Sequence, residues 1–332
     1  KRRYKMKTIL EYVWLGANNE LRSKTRVVSE DINFIKQVPS WSFDGSSTEQ
    51  ATGDNSDCIL KPVKLYPNPF HVMTVNDYYL VMCEVIDNEH NKRSLIENDS
   101  DDYWFGFEQE YVIWKDGSPM GFPSGGKMPK PQGSYYCGVG SENVAGRVIV
   151  DEHMQMCLHA DIEITGTNAE VMLGQWEYQV FGHGQKESAD DLWMSRYILE
   201  RLAEQYGFEI NYEPKPVKGD WNGSGLHTNF SIDSMRRNAN MGIYHDIIDK
   251  LEKKHNEHIA VYGKDNDQRL TGLHETQSIN KFTYGESDRG ASIRIPVEVI
   301  ESGYTTGYLE DRRPAANANP YEITKVIIDT IT

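Results

Sequence analysis

The sequence predicts an α+β fold with two domains, and three observations support that expectation. The 332 residues suffice for one large domain or for two ordinary domains with a substantial core. Strand-like patterns dominate the first part of the chain, whereas strands and helices alternate in the rest. A polar, highly charged segment from Asp87 to Asp102 separates the two parts and is the best linker candidate. We therefore expect an N-terminal domain at residues 1–97 and a second domain at residues 98–332.

The N-terminal part is predicted to be rich in strands, because β-branched and aromatic residues alternate there with polar ones. A turn signal, Phe43-Asp44-Gly45-Ser46-Ser47, lies between the second and third candidate strands. The four candidate strands are Leu10–Leu15, Thr25–Val28, Cys58–Val63 and Tyr79–Ile86.

The second part contains four segments with helical periodicity, and their apolar stripes predict faces that pack on a core. Ser188 with Asp191 resembles a capping box, and Gly207 is expected to end the same helix. Pro320 is expected to occupy the first turn of the last helix. The four predicted helices are Arg147–His159, Ser188–Tyr206, Tyr244–His255 and Pro320–Ile331.

Composition excludes several classes of protein. The net charge of -15 argues against a nucleic-acid-binding surface, which needs clustered Lys and Arg. No apolar run is long enough to span a membrane, and no signal peptide precedes the first strand. The four cysteines form no CxxC pair, which argues against structural zinc and against a disulfide framework. We expect a cytoplasmic protein with reduced thiols that binds neither membrane nor nucleic acid.

Three familiar motifs are begun in this sequence but not completed. Gly121 to Lys127 resembles a phosphate-binding loop, but Met128 stands where a Ser or Thr must reach magnesium. Gly138-Val139-Gly140 lacks the third glycine of a dinucleotide fingerprint. His274-Glu275 begins like a zinc-protease motif, yet position 278 is Ser. None of the three therefore predicts a site.

Two glutamates in an apolar strand are the strongest chemical signal. Glu108 and Glu110 lie in the run Trp104 to Trp114, which is dense in aromatic and β-branched residues. Side chains two apart on a strand leave from the same face, about 7 Å apart. Like charges on a buried face repel each other, and a divalent cation is the usual compensation. The pair therefore predicts a metal site.

Four further residues could complete a metal site. Glu170 and Glu177 flank Gly174, where two strand-like segments could fold back and bring both carboxylates to one end of a sheet. His227 shares a polar strand face with Asn229 and Ser231.

Glu310 is the fourth, and it lies beside Arg312 and Arg313. Each of these residues alone would be a surface or structural residue, so their joint occurrence is what indicates a site. Five glutamates and one histidine suit magnesium or manganese rather than zinc or copper.

Nine segments in order along the chain resemble glutamine synthetase, in the type II form of eukaryotes and some bacteria. Together they span nearly the whole sequence. The segments are WSFDGSST (41–48), NSDC (55–58), WFGFEQEY (104–111), PQGSYYCGVG (131–140), GTNAEVMLGQWEYQ (166–179), KPVKGDWNGSGLHTNFS (215–231), NDQRLTGLHET (266–276), DRGASIRIP (288–296) and YLEDRRP (308–314).

The resemblance implies a fold, an activity and an assembly. The implied fold is an N-terminal β-grasp domain followed by an α/β catalytic domain with a curved, largely antiparallel sheet. The implied activity is ligation of ammonia to the γ-carboxylate of L-glutamate, with ATP split to ADP and phosphate, through γ-glutamyl phosphate. The implied assembly is a homo-oligomer of two stacked rings, usually of five subunits each, with sites between adjacent subunits.

The resemblance also assigns metal ligands. Glu110, Glu170 and Glu177 match the ligands of one Mg²⁺ or Mn²⁺ ion. Glu108, His227 and Glu310 match the ligands of a second ion, which faces the phosphates of ATP. The resemblance implies two to three ions per site, the third of which accompanies the nucleotide, with ATP as co-substrate.

The remaining site residues are also carried over from the family. Asp44 matches the base that takes a proton from ammonium, and Glu275 matches a flap residue that shields the acyl phosphate from water. The implied catalytic residues are Asp44, Glu275 and Arg289. The implied substrate-binding residues are Ser47, Tyr136, Asn222, Gly223, Arg269, Arg289 and Arg312. The implied nucleotide-binding residues are Trp104, Asn229, Ser231, Arg236, Arg294 and Tyr308.

The sequence departs from the family at three places, none of which touches a proposed metal ligand. The segment Trp14 to Leu21 and Ser134 differ from the usual residues, and the linker is shorter than in animal and plant members. The insertion that carries an adenylylated tyrosine in type I enzymes has no counterpart, so we expect no such control. A non-catalytic scaffold and a ligase for another amine are the alternatives. The intact ligands and ammonium-pocket residues argue against both.

Overall fold

The computed structural model describes residues 6–86, 89–123 and 127–332. Residues 87–88 of the predicted linker and residues 124–126 of the glycine-rich segment lie outside the described residues. The chain divides into two compact units. The first comprises residues 1–97 with 155–162, and the second comprises residues 98–154 with 163–332.

The first unit is built on a five-stranded sheet with the order β2-β1-β5-β4-β3. β1 and β5 pair in parallel, and the other neighbours pair antiparallel. Alternate residues of β1, namely Leu10, Tyr12 and Trp14, belong to the buried core of this unit. The strands are β1 Thr8–Leu15, β2 Leu21–Val28, β3 Trp41–Asp44, β4 Asp57–Pro67 and β5 Asp77–Val85.

All four predicted strands of the N-terminal part are present, but their bounds differ. β4 runs beyond the predicted end at Val63, and its pairing with β5 shifts register between Pro62 and Lys64. A proline cannot donate to the sheet ladder, so it is accommodated at this irregularity. β3 was missed, because the predicted turn signal begins at Phe43 and so covers the last two residues of this four-residue strand. A short 3-10 helix, Gly45–Thr48, follows it.

The second unit is built on a nine-stranded sheet. Its main order is β12-β13-β14-β11-β6-β9-β8, while β7 and β10 also pair with β6. β12 and β13 pair in parallel, and the other pairs are antiparallel, which confirms the predicted largely antiparallel sheet. The strands are β6 Trp104–Lys115, β7 Ser118–Pro119, β8 Ile164–Ala169, β9 Gln175–His183, β10 Glu209–Asn211, β11 Leu226–Ser231, β12 Tyr284–Glu286, β13 Ile293–Ile295 and β14 Leu309–Asp311.

The predicted helices are present, two of them with the predicted bounds. α1 and α7 match the prediction, whereas the stretch at residues 244–255 is divided between α4 and α5. The helices are α1 Arg147–His159, α2 Gln185–Tyr206, α3 Asp233–Arg236, α4 Met241–Lys253, α5 His255–Ile259, α6 Val297–Glu301 and α7 Pro320–Ile331.

The predicted capping box at Ser188 is wrong, because α2 begins earlier. Asp99 accepts hydrogen bonds from the backbone N–H of Gln185 at 2.6 Å and of Lys186 at 3.0 Å. These contacts satisfy two of the free donors at the start of the helix. The Ser188 hydroxyl lies one turn into α2 and donates to the carbonyl of Gly184.

The alternation of β6 separates structural from polar side chains. Phe105, Phe107 and Tyr111 are buried in the core of the second unit. Gln109, on the same face, accepts a 2.7 Å hydrogen bond from Nε of Arg196 in α2. The even-numbered residues, which include Glu108 and Glu110, leave from the opposite face because the side-chain period of a strand is two.

Two expectations about the whole chain can be compared with the structure. Among the described residues, no helix has the length and apolar character needed to cross a bilayer. The four cysteines form no disulfide with one another, and Cys137 is exposed, Cys58 half-buried and the other two buried.

Candidate active site

A cavity of about 460 Å³ lies over the polar face of the nine-stranded sheet. All the residues that line it belong to the second unit. Carboxylates and guanidinium groups dominate its lining, which suits charged ligands. The lining residues are Glu108, Glu110, Tyr136, Asn168, Glu170, Val171, Glu177, Gln179, His227, Glu275, Arg289, Arg294, Glu310 and Arg312.

Strand register brings the candidate ligands together from four strands. On β6, Glu108 stands opposite His227 of β11 on one side and Gln179 of β9 on the other. Glu110 pairs directly with Glu177 of β9. Glu310 of β14 pairs with a residue of β11 two positions beyond His227. Residues of distant sequence therefore meet across one sheet face.

The first ligand set consists of Glu110, Glu170 and Glu177. One carboxylate oxygen of each lies within 4.8 Å of the others. Glu170 joins the set because β8 and β9 fold back as an antiparallel pair, as the sequence predicted. Gly174 makes this reversal possible with φ of 84°, and a Cβ there would lie 2.5 Å from the backbone oxygen of Met120.

Burial and mutual repulsion make the first set costly as free carboxylates. Burial, followed by the charge of Glu110, raises the pKa of Glu170 to about 8. Burial raises the pKa of Glu110 to about 7, although Arg269 and Gly225 act in the opposite direction. The pKa of Glu177 is raised by burial and by the three neighbouring glutamates of the site. A cation among these oxygens would remove the repulsion.

The second ligand set consists of Glu108, His227 and Glu310. The Nδ1 atom of His227 lies 3.2 Å from Oε2 of Glu108 and 3.5 Å from Oε1 of Glu310. Burial lowers the pKa of His227 well below its usual value, and Arg312 lowers it further. A neutral imidazole between two carboxylates is a metal-binding arrangement.

Both sets fit divalent cations that prefer oxygen ligands. Each set offers three ligand atoms mutually within 4.8 Å, and each is partly or wholly buried. Four of the five carboxylates have a pKa raised primarily by burial, so the protein alone does not compensate their charge. Oxygen-rich sets of this kind suit Mg²⁺ and Mn²⁺.

Arginines border the second set. Arg312 donates from Nη1 to Oε1 of Glu310 at 2.6 Å, and Arg294 donates to Oε2 of the same carboxylate at 2.9 Å. Arg312 also reaches the carbonyl of Glu275 at 3.4 Å. Arg289 lines the same cavity. The guanidinium groups thus surround space that an anionic ligand could occupy.

The polar face continues along β6 and β11 beyond the cavity. Asn229 donates to Oε1 of Glu108 at 2.8 Å and stands opposite Gly106. Ser231 stands opposite Trp104 and accepts a 2.8 Å hydrogen bond from Arg236. These predicted nucleotide-site residues therefore form one strip.

The far end of that strip is an aromatic stack. The guanidinium of Arg236 lies 4.0 Å from the ring centre of Trp104, and His183 stacks on the same indole at 5.0 Å. Tyr308 lies near the inner end of the strip, where burial and acidic neighbours that include Glu108 raise its pKa.

Three of the predicted substrate residues in the second unit do not line the cavity. Asn222 accepts a 2.6 Å hydrogen bond from Gln132, and the carbonyl of Gly223 accepts one from Gln175 at 2.9 Å. Arg269 is buried and directs its guanidinium to Nε2 of His227 at 3.1 Å and to the carbonyl of Arg312 at 3.0 Å. Burial lowers the pKa of Arg269 to about 10.

Asp44 and Ser47 lie in the first unit. Asp44 ends β3, and its carboxylate accepts hydrogen bonds from the Ser46 N–H at 3.0 Å, the Ser46 hydroxyl at 2.6 Å and the Ser47 hydroxyl at 2.7 Å. The two hydroxyls, followed by the N–H, lower the pKa of Asp44. Both side chains are exposed.

Sequence reasoning missed residues that support the ligands. Asn168 donates to Oε1 of Glu170 at 3.0 Å, and Gln179 donates to Oε1 of Glu177 at 2.6 Å. Strand alternation could have found Gln179, which lies two residues after a candidate ligand. Gln132 gave no signal, because its contacts are with loops distant in sequence.

Known proteins resemble both units. A family model described as "Glutamine synthetase, beta-Grasp domain" matches residues 7–88, and one described as "Glutamine synthetase, catalytic domain" matches residues 90–260. The glutamine synthetase of Emericella nidulans is 49% identical over 97% of this chain and 91% of its own length. That of Bradyrhizobium diazoefficiens is 49% identical over 97% of this chain and 96% of its own.

A solved structure shows the same fold. The cryo-EM structure of Plasmodium falciparum glutamine synthetase has a TM-score of 0.77 and 16% identity, and the match covers 100% of this chain and 72% of that one. The predicted β-grasp and catalytic folds are therefore confirmed. Relatives from fungi and from one bacterium also confirm the predicted type II resemblance. With family models that together match most of the sequence, and relatives at this identity, the chain belongs to the glutamine synthetase family.

Proposed function

We infer that this protein joins ammonia to the γ-carboxylate of L-glutamate and splits ATP, releasing L-glutamine, ADP and phosphate. Its family and its relatives over 97% of the chain support this reaction. The observation that carries the inference is the presence of two ligand sets and three arginines in one cavity. Phosphoryl transfer requires positioning and charge stabilisation more than covalent help. A carboxylate is a poor electrophile, so γ-glutamyl phosphate forms before ammonia attacks.

We propose that the site holds two Mg²⁺ or Mn²⁺ ions, with a third accompanying ATP. Glu110, Glu170 and Glu177 would hold one ion, while Glu108, His227 and Glu310 would hold the other. When bound, the ions would act as Lewis acids that neutralise charge on the phosphates. Asn168 and Gln179 orient the carboxylates of the first set through the hydrogen bonds described above.

The strip that ends at Trp104 is proposed to bind ATP. Its members are Trp104, Asn229, Ser231, Arg236, Arg294 and Tyr308. The stacked indole and guanidinium of Trp104 and Arg236 offer a flat surface suited to a purine base. Arg294 lies at the opposite end, beside Glu310, where the phosphates would meet the second ligand set.

Glutamate is proposed to bind beside the arginines. Arg289 and Arg312 line the cavity and would hold the γ-carboxylate and the transferring phosphoryl group. The loop at Asn222 and Gly223 would contact the backbone groups of glutamate. Arg269 donates to protein acceptors in this structure, so contact with substrate requires the exchange of one of those bonds.

The ammonium step is proposed to use Asp44, Ser47, Tyr136 and Glu275. Asp44 would hold the cation and then take its proton. The hydrogen bonds that lower the pKa of Asp44 keep its carboxylate ionised, which suits the binding of the cation. Glu275 lines the cavity and would keep water from the acyl phosphate.

We propose that Asp44 acts on the catalytic unit of an adjacent subunit, in two stacked pentameric rings in the cytoplasm. Residues 1–97 would then be the domain that supplies Asp44 and Ser47 to a neighbour. Residues 98–332 would be the domain that binds ATP, metal and glutamate. The exposure of Asp44 and Ser47 supports this division of labour.

The first test is phosphate release from ATP with Mg²⁺ and glutamate, with and without ammonium, together with direct assay of glutamine. Ammonium-dependent release with an equal amount of glutamine is expected. Turnover only with another amine would support the proposed mechanism but contradict ammonia as the substrate. No turnover by metal-loaded oligomer would contradict the proposal and favour a scaffold.

A further inference from the structure

We propose that His274, Gln132 and Asp220 form a latch that holds the flap, defined as residues 272–278, against two other loops beside the cavity. The three are positioning residues, because none of them lines the cavity. The proposal rests on the proposed function, in which Glu275 of the flap shields the acyl phosphate.

The latch consists of two contacts made by one imidazole ring. Nδ1 of His274 lies 3.3 Å from Nε2 of Gln132, and Nε2 of His274 lies 3.4 Å from Oδ1 of Asp220. The His274 side chain is only 16% exposed, whereas the Asp220 side chain is 75% exposed. The histidine is therefore enclosed between the two loops that carry its partners.

A single neutral form of His274 satisfies both contacts. The amide nitrogen of Gln132 can only donate, so Nδ1 of His274 accepts. The ring proton then lies on Nε2, the atom that is 3.4 Å from Oδ1 of Asp220. Neither lysine nor an aliphatic side chain could accept on one side and donate on the other in this way.

The latch joins three loops that carry proposed site residues. Gln132 also donates to Oδ1 of Asn222 at 2.6 Å and approaches the carbonyl of Asp220 at 3.4 Å. Its own loop continues to Tyr136, while His274 immediately precedes Glu275. Movement of the flap away from Gln132 would also separate His274 from Asp220, which lies two residues before Asn222.

The backbone of the flap needs such external support. His274 has φ of 54° and Glu275 has φ of 60°, so two consecutive residues other than glycine adopt the left-handed conformation. Such a conformation is strained in residues other than glycine and persists only when its surroundings fix it. Within the flap, Thr276 donates to the carbonyl of Leu273 at 2.7 Å. The contacts of His274 with Gln132 and Asp220 connect this local turn to the rest of the unit.

The base of the flap is held separately. The N–H of Ile279 donates to the carbonyl of Leu270 at 2.9 Å, and His255 contacts the carbonyl of Ile279 at 2.8 Å. The ends of the segment are thus fixed whether or not the tip is latched. Loss of the latch should free the tip, residues 272–278, and leave the ends in place.

The test is the ratio of phosphate released to glutamine formed by the full-length oligomer. His274→Ala should raise this ratio by roughly threefold to tenfold, because water reaches the acyl phosphate through an unlatched flap. His274→Asn keeps an acceptor for Gln132, and His274→Gln keeps a donor for Asp220. Each is expected to give an intermediate ratio.

Two further variants separate the latch from a general structural effect. Gln132→Ala combined with His274→Ala should raise the ratio by less than the product of the two single effects. Each single substitution already removes the same contact, the one between Gln132 and His274. Lys218→Ala, at an exposed residue two positions before Asp220, is the matched control and should keep the wild-type ratio. A ratio unchanged in His274→Ala, with only slower turnover, would overturn the proposal.

Amide hydrogen exchange tests the latch without any turnover. His274→Ala should speed exchange at residues 272–278 by several-fold and leave α2 unchanged. Exchange at the flap equal to that of the wild type would overturn the latch whatever the activity. A wild-type protein that makes no glutamine would contradict the proposed function instead, and the exchange experiment would still decide the latch.

Discussion

The carboxylates of the first ligand set show how single residues can favour a function over stability. Glu110, Glu170 and Glu177 lie within 4.8 Å of one another and are largely buried. Protons or a cation must compensate their charge. Without metal, the raised pKa values of Glu110 and Glu170 mean that the folded protein binds protons that the unfolded chain has already released near neutral pH.

We therefore predict that the metal-free protein loses stability as pH rises. The raised folded-state pKa gives stability that is fully present below the usual value of 4.5 and lost as pH rises through about 8. Its thermal midpoint should fall by roughly 5 °C or more across this range, and saturating Mn²⁺ should remove most of the fall. Calorimetry with chelator and with metal measures both.

The matched variant for this prediction is Glu170→Gln. An amide cannot ionise, so the pH dependence of the metal-free protein should become shallower while metal stabilises it less. Equal pH dependence in variant and wild type would show that Glu170 is not the responsible group.

Asp44 supports a second prediction at the residue scale. Asp44→Asn removes the charge but keeps a side chain of the same size, so kcat/KM for ammonium should fall roughly 100-fold or more. The KM for ATP should change little, because ATP is proposed to bind elsewhere. Steady-state assays with each substrate varied measure the split. Ser47→Ala removes one hydrogen bond to Asp44 and should have a smaller effect in the same direction.

At the scale of elements, β6 determines the site. One face of this strand carries the aromatic core, and the other carries Trp104, Gly106, Glu108 and Glu110 in succession. Gly106 has no side chain, so the polar face has room beside Asn229, which stands opposite it. A Cβ built there would contact Asn229 at an ordinary 3.5 Å.

We predict that Gly106→Leu blocks this space without unfolding the unit. Gly106 does not have a positive φ, so a larger side chain is compatible with the backbone. The KM for ATP should rise roughly tenfold or more, while far-UV circular dichroism stays unchanged. Gly106→Ala adds only the Cβ and should leave the KM within about twofold. If Gly106→Leu leaves the KM for ATP unchanged, the assignment of the strip to ATP binding would be contradicted.

Sequence reasoning reached the strands and the ligands but not the contacts between loops. Period-two patterns identified the polar face of His227 and Asn229, and Gly174 predicted the reversal that brings Glu170 to Glu177, because both are local properties of the chain. The start of α2 was misplaced because its cap, Asp99, is distant in sequence. Gln132 was missed for the same reason, since its partners lie about 90 and 142 residues away.

At the scale of the whole molecule, the proposed division of labour between subunits predicts complementation. Asp44→Ala and Glu310→Gln should each be nearly inactive, since one lacks the base and the other a metal ligand. Subunits of both kinds, denatured and reassembled as mixed oligomers, should recover roughly a quarter of wild-type activity. In a random mixture of equal amounts, half of the catalytic units carry an intact Glu310. Half of those lie next to a subunit that supplies an intact Asp44.

The control is the same mixture of intact homo-oligomers without reassembly, which should stay inactive. If mass measurement shows that the oligomers are mixed and activity still does not recover, Asp44 and Glu310 of one subunit would belong to the same site. Native mass spectrometry of the reassembled sample also counts the subunits and so tests the proposed pair of five-membered rings.

The two ligand sets divide Glu108 and Glu110 between them, although these residues are two positions apart on one strand. The spacing of the two sets is therefore set by the covalent repeat of an extended chain, and loop lengths do not alter it. Insertions and deletions elsewhere can accumulate without changing this distance. A single-residue insertion between the two glutamates would reverse the direction of one of them and so remove a ligand from its set. The distance between these two ligands is consequently inherited with β6 itself.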